Sequence, residues 1–97
     1  MLRLKGYRVL ALGFRTTVGE IDIIARKGDC LVAVEVKYRP DLESGLQAIT
    51  ARQQNRISNA LQVYVSRNPS YQSFNLRFDA VVVTSKFRWP YHLKSAW

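Results

Sequence analysis

Four charged side chains stand in a stretch that is otherwise almost wholly apolar. Glu20 and Asp22 lie within Gly19-Glu20-Ile21-Asp22-Ile23-Ile24, and Glu35 and Lys37 within Leu31-Val32-Ala33-Val34-Glu35-Val36-Lys37. Carboxylates facing each other on a sheet repel and weaken the pairing by some tenths to about 1 kcal/mol. Partial burial adds to the penalty and raises at least one pKa, unless a cation lies between them. A hard divalent ion reverses the sign, because it takes oxygen ligands, usually one or two carboxylates completed by water and substrate phosphate. Asp22 and Glu35 are the candidate metal ligands, with the backbone carbonyl of Val36 as a further oxygen. Lys37, two residues past Glu35, emerges on the same strand face. There its ammonium can orient a water or stabilise charge developing on a phosphate. Phosphodiester hydrolysis is the reaction that uses all of these parts.

The elements that must hold these residues follow from pattern. A first strand is expected over Tyr7 to Phe14, bracketed by Gly6 and Gly13, and a second over Val18 to Arg26. Gly28-Asp29 is a two-residue hairpin signal, and the third strand runs from Cys30 to about Tyr38, stopping before Pro40. With a two-residue loop, paired residue numbers add to 57, so Asp22 faces Glu35 and Glu20 faces Lys37. All four then share one face, and Ile21, Ile23, Val34 and Val36 share the other. A three-residue loop would separate Asp22 from Glu35. A plainer account pairs Glu20 with Lys37 across the strands and leaves Asp22 and Glu35 solvated.

Residues 39–50 read as a polar, mobile connection. Thr50-x-x-Gln53 is a capping box, with Ser44-x-x-Gln47 a weaker second candidate. The helix over Ala51 to Ser66 buries Ile57, Ala60, Leu61 and Tyr64, and Asn68-Pro69-Ser70 ends it. Arg52, Arg56 and Asn59 form a separate polar face suited to phosphates or to plain solvation. Leu76 to Thr84 is a buried strand. Phe87, Trp89, Tyr91 and Leu93 alternate as a last strand with an aromatic face, which Pro90 confines to an edge. The expected fold class is α/β, a single domain over residues 1–97 with a mixed sheet of about five strands and one main helix.

Fifteen Lys and Arg against seven Asp and Glu give a net charge of +8, which favours a polyanionic partner, nucleic acid before an anionic membrane surface. One cysteine, Cys30, and one histidine, His92, exclude a disulfide framework and a zinc-finger site. Cys30 reads as a small strand residue. No apolar run has the length of a membrane span. Arg3, Lys5 and Arg8 interrupt the N-terminal stretch where a signal peptide would be continuous, so a cytoplasmic location is expected.

Gly19-Glu20-Ile21-Asp22-Ile23-Ile24-Ala25-Arg26 followed by Val34-Glu35-Val36-Lys37-Tyr38-Arg39 resembles the YraN-like family, grouped with the PD-(D/E)XK or restriction-endonuclease-like nucleases, near the archaeal Holliday-junction resolvases. Gly6-Tyr7, Phe14-Arg15-Thr16, Ala48-Ile49-Thr50, Arg56-Ile57, Arg77-Phe78-Asp79 and Ala96-Trp97 extend the resemblance along the chain. It implies a restriction-endonuclease-like sheet and metal-dependent cleavage of DNA. Asp22 and Glu35 would be ligands of Mg²⁺ or Mn²⁺, Lys37 the catalytic lysine, and Glu20 a neighbour of the site. The chain departs from the family at two places. Members usually begin with a helix carrying a Gly-Glu motif, whose counterpart in the resolvases supplies a further ligand, whereas here Met1 falls almost on the Gly-Tyr. A site with fewer ligands, one completed by a partner chain or an inactive one follows, with an uncovered apolar face favouring a homodimer. Gln53 stands where the family usually has Lys, and is read as the capping-box residue.

The leading expectation is a metal-dependent endonuclease acting on DNA, branched or single-strand-containing, with Arg15, Arg39, Arg52 and Arg56 as phosphate contacts. The alternatives are a non-catalytic nucleic-acid-binding domain with an incomplete nuclease site, and an interaction protein whose basic surface meets an acidic partner or membrane.

Overall fold

The structure, a computed structural model, describes residues 6–86 and 88–97. The expectations that rest on Arg3, Lys5 and Phe87 lie outside the described residues. Five strands form one sheet in chain order: β1 (Arg8–Arg15), β2 (Glu20–Lys27), β3 (Cys30–Tyr38), β4 (Asn75–Val83) and β5 (Tyr91–Leu93). All neighbours are antiparallel except β3 and β4. Parallel neighbours need a crossover, and the helix α2 (Ala51–Arg67) provides it. The fold is the expected α/β class, a five-stranded mixed sheet with one main helix. No helix among the described residues is long and apolar enough to cross a membrane.

The hairpin register is the expected one. Gly28 (φ 59°) and Asp29 make the two-residue turn, and the pairs run from Lys27↔Cys30 to Ile23↔Val34. β3 is the central strand, so its alternate residues enter two cores. Leu31 and Ala33 pack with Ile21, Ile24, Ile57, Ala60 and Leu61 under α2. Val32 and Val34 pack with Val81 on the opposite face, beside Ile23 and Val36.

The alternation expected for β2 fails once. Ile21 joins Ile24 in the core under α2, while Ile23 packs on the opposite face, so Ile21 and Ile23 do not share a side. β1 shows the same step: Ala11 and Phe14 pack under the helix, and Leu12 between them is 74% exposed. The pairs on either side are Leu12↔Ile23 and Phe14↔Ile21, which leaves Gly13 and Asp22 at the step. Gly13 has a φ of 63°, a left-handed conformation that reverses the pleat. Both strands change face at this one position.

Residues 39–50 are not a plain connection. Asp41 Oδ1 accepts from the Ser44 N–H at 2.8 Å and caps a short helix, α1 (Leu42–Gln47). The competing Ser44 cap is thereby replaced. α1 lies so close to β4 that a Cβ on Gly45 would stand 2.5 Å from Val82 Cγ1. The last strand begins only after Pro90 and has three residues, which leaves Trp89 outside it. β5 and the C-terminal segment are clasped to β4 by Asp79, which is fully buried. Its carboxylate accepts from Arg77 Nε and Nη2 at 2.9 and 2.8 Å, lies 2.7 Å from His92 Nε2, and accepts from the Ser95 N–H at 3.0 Å. Burial alone would raise the Asp79 pKa, but these bonds together hold it below the usual carboxylate range.

α2 starts where expected, with Thr50 Oγ1 accepting from the Gln53 N–H at 3.2 Å. It seats on β2 through Gly19: a Cβ there would come 2.1 Å from the Arg56 carbonyl oxygen. Gly19→Ala must therefore push α2 off the strand, and overpacking of this kind costs about 1–3 kcal/mol. The expected result is a melting temperature lower by about 10 °C in thermal unfolding. An unchanged melting temperature would show that the helix does not rest on this glycine.

Candidate active site

The ladder between β2 and β3 ends at Ile23↔Val34, at the position where β1 and β2 change face. The strands part there, and Asp22 sits in the fork. Its Oδ2 accepts from the Val36 N–H at 2.9 Å, so a side chain ties the two strands together beyond the last ladder pair. On β3, Glu35 turns toward α2 and is only 6% exposed. Its Oε2 accepts from Gln53 Nε2 at 2.6 Å and lies 3.3 Å from Lys37 Nζ. Asp22, Glu35 and Lys37 are thus brought together as expected, within a wedge closed by the first turn of α2.

The electrostatics of the wedge are unbalanced. Burial is the main cause that pushes the Glu35 carboxyl up to about 7, followed by the charge of Asp22 and a hydrogen bond between the two carboxyls. Lys37 opposes the shift through its charge and its own hydrogen bond without cancelling it. One oxygen of each carboxylate, Asp22 Oδ2 and Glu35 Oε2, is taken by the bonds above. Two close carboxylates, one raised toward neutrality by burial and by the charge of the other, are a donor set that fits a hard divalent ion. Among the described residues no group of three or more His, Cys, Asp or Glu is gathered in one place. The protein share of such a site is therefore these two acids and a backbone oxygen such as that of Val36.

The other expected site residues lie elsewhere. Glu20 does not face Lys37. It pairs with Arg15 on β1, in both register and charge, with an Arg15 Nε to Glu20 Oε2 distance of 3.3 Å and both side chains largely exposed. The face change at Asp22 carries Glu20 away from the wedge. Arg39, past the end of β3, donates to the Tyr38 carbonyl at 2.8 Å and is exposed. Arg52 and Arg56 are exposed on α2, in the same first turns that hold Gln53 over Glu35.

Gln53 takes the expected N3 place in the cap, and its side chain adds a contact that the capping pattern does not give. It supplies the N3 backbone N–H to the cap, but its side chain reaches Glu35 rather than the cap backbone. The usable signal was its place in the first turn of a crossover helix that must cover β3. A cleft of about 610 Å³ was also not foreseen. It opens on the sheet face away from α2, beside Asp22, over Ile23, Val36 and Val83.

Comparison with known proteins identifies the family of the sequence. Residues 1–83 match the family model described as uncharacterised protein family UPF0102. The chain belongs to UPF0102. It is 48% identical over 94 residues to a UPF0102 protein of Chelativorans sp. (strain BNC1), covering 97% of this chain and 75% of that protein. A UPF0102 protein of Rhizobium meliloti (strain 1021) is 47% identical over 95 residues, 98% of this chain and 77% of the relative. One from Bradyrhizobium sp. (strain BTAi1 / ATCC BAA-1182) is 49% identical over 96 residues, 99% of this chain and 70% of the relative. The residues matched to the UPF0102 model include the fork, both helices and β4.

The raised Glu35 pKa fixes the sign of a pH effect. The folded state holds this proton up to about pH 7, whereas the unfolded chain releases it near 4.5. The stabilisation is full below about pH 4.5 and is lost as pH rises to about 7. Without divalent metal, the wild type should lose on the order of 3 kcal/mol relative to Glu35→Gln across this window. Thermal unfolding in chelator at several pH values reads this difference. Parallel curves for the two proteins would mean that Glu35 is not perturbed.

Proposed function

We propose that this UPF0102 protein is a metal-dependent nuclease of the PD-(D/E)XK type, hydrolysing phosphodiester bonds of DNA that is branched or contains single strands. The observation that carries this reading is the fork, which gathers Asp22, Glu35 and Lys37 and leaves two carboxylates short of positive charge. The net charge of +8 supports a polyanionic substrate.

Asp22, Glu35 and a backbone oxygen such as that of Val36 would hold Mg²⁺ or Mn²⁺. When bound, the ion supplies Lewis-acid polarisation of a phosphoryl oxygen and acidification of water. The chain's own residues do the rest. The Val36 N–H fixes the Asp22 carboxylate, and Gln53 fixes that of Glu35. Glu35 gives up its proton to take the charged form, so ion affinity rises with pH through about 7. The Lys37 ammonium, largely enclosed beside Glu35, orients the attacking water and then stabilises the charge growing on the phosphate. Arg52 and Arg56, exposed near the wedge, hold flanking phosphates.

The test is metal titration followed by melting. Mg²⁺ or Mn²⁺ should raise the melting temperature of the wild type, and Asp22→Ala should remove the rise. Asp22→Ala, Glu35→Ala and Lys37→Ala should each abolish Mn²⁺-dependent nicking and leave DNA affinity within a few-fold. A wild type that binds DNA but cuts no form of it with any metal is the non-catalytic binding domain instead. Replacing Arg52 and Arg56 together by Ala should weaken DNA binding and flatten its salt dependence by roughly two phosphate contacts. An unchanged slope would leave this helix face merely solvated.

A further inference from the structure

The cleft beside the fork is unused by the chemistry above, although Asp22 borders both. Its floor is aliphatic, made by Ile23, Val36 and Val83, and its rim carries Tyr38, Arg88 and Trp89. Tyr38 is 71% exposed and Trp89 73% exposed. Exposed aromatic rings around a concavity mark a surface that binds something. Arg88 is also exposed and makes no ion pair among the described residues.

We propose that this cleft receives one unpaired nucleotide of a bound strand, its base stacked on the Trp89 and Tyr38 rings and a neighbouring phosphate held by Arg88. The inference rests on the nucleic-acid reading above and narrows its substrate class. Aromatic faces bind bases with little regard to sequence, and arginine forks match phosphate oxygens. The volume, about 610 Å³, falls in the ordinary range of small-ligand sites. A base inside a duplex has both faces covered by its neighbours, so only an unpaired or extruded one can stack here. The basic excess of the chain favours an anionic strand over an apolar peptide, and it repels a second copy. Asp22 borders both the cleft and the fork, so a strand with one nucleotide in the cleft runs past the sheet edge at which the fork opens. The substrate is then DNA with a single-stranded or unpaired nucleotide next to the cleavage point.

The experiment compares binding of a labelled single-stranded oligonucleotide and of its duplex by fluorescence anisotropy, in chelator, at fixed salt. The wild type should prefer the single strand. Trp89→Ala should weaken single-strand binding about tenfold and change duplex binding less than twofold. Trp89→Phe, which keeps a stacking face, should restore most of the affinity, and Tyr38→Ala should repeat the selective loss. Unchanged single-strand binding in Trp89→Ala, or an equal loss on both forms, overturns the proposal while leaving the nuclease reading intact. No binding of either form overturns both. Sedimentation supplies a further arm: self-association of the wild type that Trp89→Ala abolishes would put a second copy in the cleft and overturn the proposal.

Discussion

The hydrogen bond from the Val36 N–H to Asp22 closes the gap where two strands separate, and the site depends on that closure. A sheet that continued its ladder past Ile23 and Val34 would keep Asp22 on a regular face with no reason to meet Val36. A fork without the bond would leave a backbone N–H and a carboxylate competing for water. With it, one carboxylate is fixed at the parting of the strands and a second, Glu35, is fixed from above by α2. Burial and like charge do the remaining work: they make the pair unfavourable alone and favourable around a cation.

Much of this was legible in the sequence because local rules set it. Gly28-Asp29 determines the turn, and the turn determines a register that ends at Ile23 and Val34, one step short of Asp22 and Glu35. α2 was legible from its cap, its apolar stripe and the proline after it. What escaped depends on contacts between distant segments. α1 contains Ser44 and Gly45, poor helix formers, and Gly45 lies against Val82 on another element. The change of face at Gly13 and Asp22 breaks the period of two that places Glu20 in the wedge, and Glu20 pairs with Arg15 instead. The capping pattern accounts for the backbone of Gln53, whereas its side chain's partner lies eighteen positions away.

The acidic residues are spent close to home, and this shapes the outer surface. Asp79 is consumed by Arg77 and His92 inside the sheet, Asp41 by a helix cap, and Glu20 by Arg15. Among the described residues only Arg15, Lys37 and Arg77, of all lysines and arginines, enter ion pairs. Most of the positive excess is therefore unneutralised at the surface, where it acts at a distance of about a Debye length, ~10 Å at moderate salt. The wedge, by contrast, is a small negative site set within a positive molecule. On the proposed nuclease reading, the excess serves the polyanionic substrate and the wedge serves the metal ion.

Surface turns usually tolerate an added or lost residue, since loop closure changes little with length. The tip at Gly28-Asp29 does not share this freedom. It stands at the end of five paired rows, and the fork lies at their other end. One residue gained or lost at the tip slides β3 past β2 by a single step, moves Glu35 to the face away from α2 and takes it from Gln53, while Asp22 stays where β1 holds it. The most exposed point of the hairpin thus sets the spacing of the site at its far end.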